Sequence, residues 1–192
     1  ISGGGSGIGA TIVEYFCEQK SEVYFIDIDI KSSNKLVKNI KKKGFRVPKF
    51  IECNILDVKK LQNIIKDIIS KKGAIHFLIN SAANDDRHTT EQVDEKYWEN
   101  RMGINLKHYF FAAQAVVKGM KKIKSGSIVN LSSVSWVLGE GDKVVYETAK
   151  SAVVGLTRSF AQEFGKYNIR TNSVIPGSIA TERQIKNWLT PK

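Results

Sequence analysis

Tyr146 and Lys150 stand four residues apart, which on a helix places a phenol and an ammonium on one face, one turn apart. A neighbouring cation favours phenolate, so this pair is suited to taking a proton from a hydroxyl group. Bringing a tyrosine from about 10 to near 7 takes roughly 4 kcal/mol, within reach of one lysine and one cationic ligand. The spacing alone is weak evidence. A chain with 6 Tyr and 30 Lys+Arg in 192 residues produces about one Tyr-x-x-x-basic pattern by chance. Tyr97 and Arg101 form a second such pair, to which no chemistry is attached. A solvated helix face is the plain alternative for both.

The elements around the pair must decide. Residues 127–131 are an apolar run that reads as a strand, and the helix through Tyr146 ends near Gly165. Between them lies a loop with two glycines and three serines, Ser133 among them. Upstream, Gly3, Gly5, Ser6, Gly7, Ile8 and Gly9 form a glycine-rich loop leading into a helical start at residues 11–16. Such a loop allows a tight turn and lets backbone N–H groups approach a phosphate at a helix N-terminus. A flexible linker would show the same glycines, so the context is needed. It follows at once, because residues 23–26 read as a strand buried on both faces that ends at Asp27. A dinucleotide fold places there the acid that takes the adenosine ribose hydroxyls. A 2′-phosphate about 4 Å from Asp27 would be repelled by roughly 4 kcal/mol per charge at a surface-like dielectric. The predicted cofactor is therefore NAD rather than NADP.

Helix and strand then alternate. A helix marked by Leu36, Val37 and Ile40 ends near Gly44. A strand spans 47–52, with Pro48 tolerated near its start. Asp57 can N-cap a helix with Val58, Leu61, Ile64, Ile65, Ile68 and Ile69 on its apolar face, stopped at Gly73. A strand over 75–79 leads into Asn80-Ser81-Ala82-Ala83 and a polar loop at 84–88. Two helical segments run from Asp94 to about Lys122 and meet at Asn105. A last strand covers 169–175, before Pro176-Gly177. This alternation predicts an α/β fold, a doubly wound Rossmann-type parallel sheet with helices on both faces. The whole chain, 1–192, is expected to be one such domain, truncated at both ends, because a strand should precede the glycine loop.

Composition narrows the partners. Two cysteines, Cys17 and Cys53, give neither a disulfide framework nor metal spacing and fit a cytoplasmic protein. No run reaches the length of a membrane span. The net charge of +11 comes from lysines spread along helices without interleaved aromatics or a nucleic-acid motif, so neither nucleic acid nor membrane is an expected partner. Asp85 and Asp86 are adjacent carboxylates without further ligands, and no metal is expected.

Taken together, the chain resembles the short-chain dehydrogenase/reductase family along essentially its whole length. The matches fall in the family's order: Gly3/Gly7/Gly9, Asp27, residues 80–83, Asn105, Ser133, Tyr146, Lys150, and Pro176-Gly177 with Thr181. A narrower likeness, in residues 84–88, Tyr97-Trp98, Ser135-Trp136, 146–150 and Arg183-Gln184, is to bacterial NAD-dependent sugar 1-dehydrogenases of the D-xylose type. The resemblance implies catalysis by Asn105, Ser133, Tyr146 and Lys150. It implies NAD contacts from the glycine loop, Asp27, Asn54, Ile55, Asn80, Ala82, Tyr146, Lys150, Pro176, Gly177, Ile179 and Thr181. It further implies that Asn105 holds a water linking Lys150 to solvent, that more chain lies beyond Lys192, and that the protein is a homo-oligomer, dimer or tetramer, built through helices near 110–117 and 151–160. Two positions depart from the family pattern: Asn54, where Asp is usual, and Ala83, where Gly is usual.

The expected reaction is hydride transfer from C1 of an aldose to NAD, giving a lactone. Tyr146 acts as base, Lys150 lowers its pKa, and Ser133 hydrogen-bonds the reacting oxygen. His88, Trp136 and Glu147 are the nominated sugar contacts. For each there is a bland alternative: a surface loop histidine, a core aromatic and a solvated carboxylate. The competing readings are an enzyme of the same family acting on another alcohol or ketone, and a non-catalytic NAD-binding sensor.

Overall fold

The structure, a computed structural model, describes residues 1–189. In chain order the elements are α1 (Gly7–Glu18), β1 (Tyr24–Asp27), α2 (Ile30–Lys42), β2 (Lys49–Glu52), α3 (Val58–Lys72) and β3 (Phe77–Asn80). There follow α4 (Glu95–Met102), a single π-helical turn (Gly103–Lys107), α5 (His108–Ile123), β4 (Gly126–Leu131) and α6 (Ser135–Leu138). The last are α7 (Val144–Phe164), β5 (Ile169–Val174) and α8 (Glu182–Asn187). Every pairing between these strands is parallel. This is the expected Rossmann-type α/β pattern.

The chain divides into two compact units. The first comprises Ile1–Asn54 and residues 178–189. In it β1 pairs with β2, Tyr24 opposite Lys49 and Asp27 opposite Glu52, and Ser2 bridges to Ile26 just before the glycine loop. Its core is Val13, Cys17, Val23, Phe25 and Ile40, all buried. Asp29 caps α2 by accepting from the Ser32 N–H at 2.9 Å, satisfying one of the donors a helix start leaves open.

The second unit is Ile55–Gly177. Its strands lie in the order β3-β4-β5, so the long crossovers through α4–α5 and α7 deliver the carboxyl ends of β3 and β4 to one edge. Asp57 caps α3 as expected, accepting from the Lys60 N–H at 2.9 Å, and Gly73 ends it with φ at +83°. Leu61, Ile65 and Ile68 are its buried face.

Three expectations shift. β2 begins at Lys49 rather than residue 47, because Pro48 has no N–H for a ladder and pairing starts at Tyr24 opposite Lys49. β3 begins at Phe77 rather than residue 75, since its first partner is Ser127, and it carries Asn80 inside the strand. The serine- and glycine-containing loop before α7 holds a short helix, α6.

Candidate active site

In the first unit the glycine loop is shaped by close approach. A Cβ on Gly9 would lie 1.9 Å from the Gly3 carbonyl oxygen, and one on Gly4 would lie 2.7 Å from Phe25. Gly3 and Gly7 both have positive φ, 67° and 53°, a region that favours glycine. Ser6 occupies the N-cap of α1 without a side-chain bond, and the first turn holds no acid. The start of this helix therefore offers backbone donors and a positive dipole end to an anion. Asp27 closes the loop from the end of β1: one carboxylate oxygen accepts the Gly5 N–H at 2.8 Å and the other the Asp29 N–H at 2.9 Å. Each oxygen keeps a lone pair for a further donor. In the same unit Thr181 lies against Gly7 and caps α8 by accepting from the Gln184 N–H at 3.2 Å. Asn54 and Ile179 are exposed. These residues fit a dinucleotide, with amides for phosphates and a carboxylate for ribose hydroxyls.

In the second unit Lys150 is 1% exposed. Its Nζ donates to the Leu131 carbonyl at 2.7 Å and to the Tyr109 hydroxyl at 2.8 Å. It lies 5.6 Å from the centroid of the half-buried Tyr146 ring, so the sequence pair is a spatial pair. Burial lowers the Lys150 pKa to about 7, against an upward pull from the Asp85 carboxylate. The carbonyl of Lys150 is fixed by the Ser132 hydroxyl at 2.7 Å. Ser133 Oγ accepts the Ser135 N–H at 3.2 Å and lies 2.9 Å from Ser135 Oγ. The loop carrying Ser133 is tied to the chain beyond β5, since the Ser132 N–H donates to the Val174 carbonyl and the Val134 N–H to that of Pro176.

Asn105, fully buried, sits in the π-helical turn, a feature that often marks functional sites. Its side chain bonds both ways to Asn84, accepting the N–H at 2.8 Å and donating to the carbonyl at 2.9 Å. The amide thus secures the loop after β3. Asn80 donates to Asn130 at 2.9 Å, and Asn130 to Thr157 at 3.0 Å, a buried polar chain linking β3, β4 and α7.

The nominated sugar contacts divide. His88 is buried, its Nε2 accepting the Val145 N–H at 3.3 Å and its Nδ1 lying 3.0 Å from the Tyr97 hydroxyl. Both ring nitrogens are thus engaged by the protein. Glu147 accepts the Glu140 N–H at 3.2 Å, holding the loop before α7. The Trp136 indole N–H is buried with no hydrogen-bond partner among the described residues. The pair set aside on sequence grounds, Tyr97 and Arg101, braces residues 84–88: Arg101 stacks on Tyr97 at 4.8 Å and pairs with Asp86 at 2.9 Å. Asp142 pairs with Arg87 at 3.0 Å.

Tyr109 is the residue that sequence reasoning missed. It lies 41 positions before Lys150, in a helix that reads as apolar, and its spacing to Asn105 was the only available signal.

The short chain dehydrogenase family profile matches residues 1–191, and the chain belongs to that family. Among curated relatives it is 40% identical to a probable galactose dehydrogenase of Rhizobium meliloti over 99% of this chain and 74% of that one. It is also 40% identical to a D-xylose 1-dehydrogenase of Caulobacter vibrioides, over 100% of this chain and 75% of that one. Among solved structures, a short-chain alcohol dehydrogenase from Sinorhizobium meliloti superposes with a TM-score of 0.87 at 29% identity, covering 94% of this chain and 71% of that one. The chain is a short-chain oxidoreductase, and among the described residues no helix is long and apolar enough to cross a membrane.

Proposed function

We propose that this protein oxidises the C1 hydroxyl of an aldose, D-xylose or a close relative, to the lactone with NAD. The observation that carries the reading is Lys150 held beside Tyr146 on α7, its Nζ 5.6 Å from that ring. The two 40% identical sugar dehydrogenases favour a sugar over other alcohols.

In the first unit, the amides at the start of α1 would hold the pyrophosphate and Asp27 the adenosine ribose; Asn54 and Thr181 are further contacts. In the second, Tyr146 and Lys150 would take the nicotinamide ribose, with Asn80, Ala82 and the Pro176-Gly177 carbonyl segment beside it. Bound NAD supplies the hydride acceptor. Tyr146 takes the proton of the C1 hydroxyl as the C1–H bond gives up its electron pair, and Ser133 donates a hydrogen bond to that oxygen. Positive charge on Lys150 favours the phenolate that does this work. His88 and Glu147 act by placing their loops, while Trp136 is the nominated donor to a sugar hydroxyl.

NADH absorbance with a panel of pentoses and hexoses tests the proposal. The expected result is turnover on D-xylose or a close stereoisomer, with NAD preferred strongly over NADP. Turnover confined to acyl or steroid substrates would favour another member of the family. Comparable kcat/KM with both cofactors would remove the role given to Asp27.

A further inference from the structure

Resting on that reading, we propose that Tyr109 is a positioning residue of the proton-handling machinery, a buried phenol that holds Lys150 and favours its ammonium form. Three atoms close a triangle: Lys150 Nζ to Tyr109 Oη at 2.8 Å, Lys150 Nζ to the Leu131 oxygen at 2.7 Å, and Tyr109 Oη to the same oxygen at 2.9 Å. A carbonyl only accepts and an ammonium only donates. The phenol must then point its hydrogen at Leu131 and offer its lone pair to Lys150. A neutral amine gains less, because its lone pair competes for the same phenol hydrogen.

The interior makes this bond matter. Tyr109 and Lys150 are 0% and 1% exposed, so an ammonium there has lost its water and depends on the acceptors around it. Four titratable groups bear on it: Asp85 from the loop after β3, His108 and Tyr109 from α5, and Tyr146 on its own helix. Burial holds His108 down to about 3, so it is neutral at working pH. Burial also pushes the Tyr109 phenol far above its ordinary range, so it stays protonated while Lys150 titrates. While Tyr146 is protonated, Asp85 and Tyr109 are the members of this set that favour the charge, Asp85 through space and Tyr109 by a direct bond.

Tyr109→Phe keeps the ring and deletes the acceptor. Titration of Lys150 by NMR in protein carrying lysine labelled with carbon-13 at Cε, assigned with Lys150→Arg, is expected to show a midpoint about one unit lower in the variant. This measurement requires neither cofactor nor substrate. In turnover, the acidic limb of the kcat–pH profile moves up by a similar amount, because Tyr146 loses its cation at neutral pH. The variant is then about tenfold slower at pH 7 and close to wild type at pH 9.5, with KM for NAD unchanged. Tyr109→Gln, which restores an acceptor, is expected to titrate nearer to wild type than Tyr109→Phe. An unmoved Lys150 midpoint, or a loss of kcat equal at every pH, would overturn the proposal. If Tyr109→Phe does not fold, a Gln variant whose midpoint falls by a full unit overturns it as well. Absence of turnover by wild type on any alcohol ends the functional reading above, while the Lys150 titration still decides the role of Tyr109.

Discussion

His88 Nε2 accepts the backbone N–H of Val145 at 3.3 Å, so a side chain from the loop after β3 fixes the first turn of the helix that carries Tyr146 and Lys150. Since Nε2 accepts, the ring hydrogen sits on Nδ1, facing the Tyr97 hydroxyl and the Asp86 carbonyl. The bond joins the loop after β3 to the first turn of α7, one residue before Tyr146. His88→Ala is expected to lower stability by about 1–3 kcal/mol, the usual cost of a buried N–H left bare. Urea denaturation reads the stability, and kcat should fall while KM for NAD holds.

Tyr146→Phe removes the hydroxyl and keeps the ring. Turnover is expected to fall by roughly 10²-fold or more, the scale of a lost general base, with melting temperature and NADH affinity near wild type. Turnover close to wild type would end the assignment of Tyr146 as base.

Gly9→Ala and Gly155→Ala should part company. The first puts a methyl on the Gly3 carbonyl, at 1.9 Å, whereas the second meets nothing within 4 Å. We expect Gly9→Ala to weaken NADH binding at least tenfold, read by fluorescence titration. Gly155→Ala, inside α7, is expected to leave binding unchanged and to gain up to about 1 kcal/mol of stability from helix propensity.

Lys150 and His108 are two buried bases that contribute to the pH dependence of stability. The folded-state pKa of Lys150 is lowered from 10.5 to about 7 and that of His108 from 6.5 to about 3. In both windows the unfolded chain binds the extra proton, so stability rises with pH from about 3 to 6.5 through His108 and from about 7 to 10.5 through Lys150. Lys150→Met should flatten the upper window of a denaturation series and narrow the lower one, since burial is the first cause of the His108 shift and the Lys150 charge the second. A wild-type midpoint that falls between pH 7 and 9.5 would contradict the burial of a neutral amine.

The alternation of apolar runs and glycine stops was enough to place nearly every strand and helix, because parallel strands and amphipathic helices leave periodic marks. The same holds for Asp57 as a cap and Gly73 as a stop, whose chemistry is local. The strand starts at 47 and 75 went astray because only a partner strand, absent from any local window, decides where a ladder begins. In the site, Tyr146 and Lys150 were legible once their spacing of four stood beside the glycine loop, Asp27, Asn105 and Ser133. His88–Val145 and Tyr109–Lys150 were not, being 57 and 41 residues apart. His88 was nominated for a polar loop position, yet whether a ring nitrogen faces a sugar or a backbone N–H is a tertiary fact.

The π-helical turn at Gly103–Lys107 acts as a phase corrector. Tyr97, Arg101, Asn105 and Tyr109 follow one another at intervals of four along a continuous helical rod. In a regular α-helix twelve residues overshoot three full rotations by about 120°, which would swing Tyr109 away from the side that Tyr97 faces. One wide turn absorbs about one residue of that rotation and leaves an overshoot of about 20°. All four side chains thereby work along one line: Tyr97 at His88, Arg101 at Asp86, Asn105 at Asn84 and Tyr109 at Lys150. The rod behaves as a ruler, and its single irregular mark is what keeps the graduations aligned.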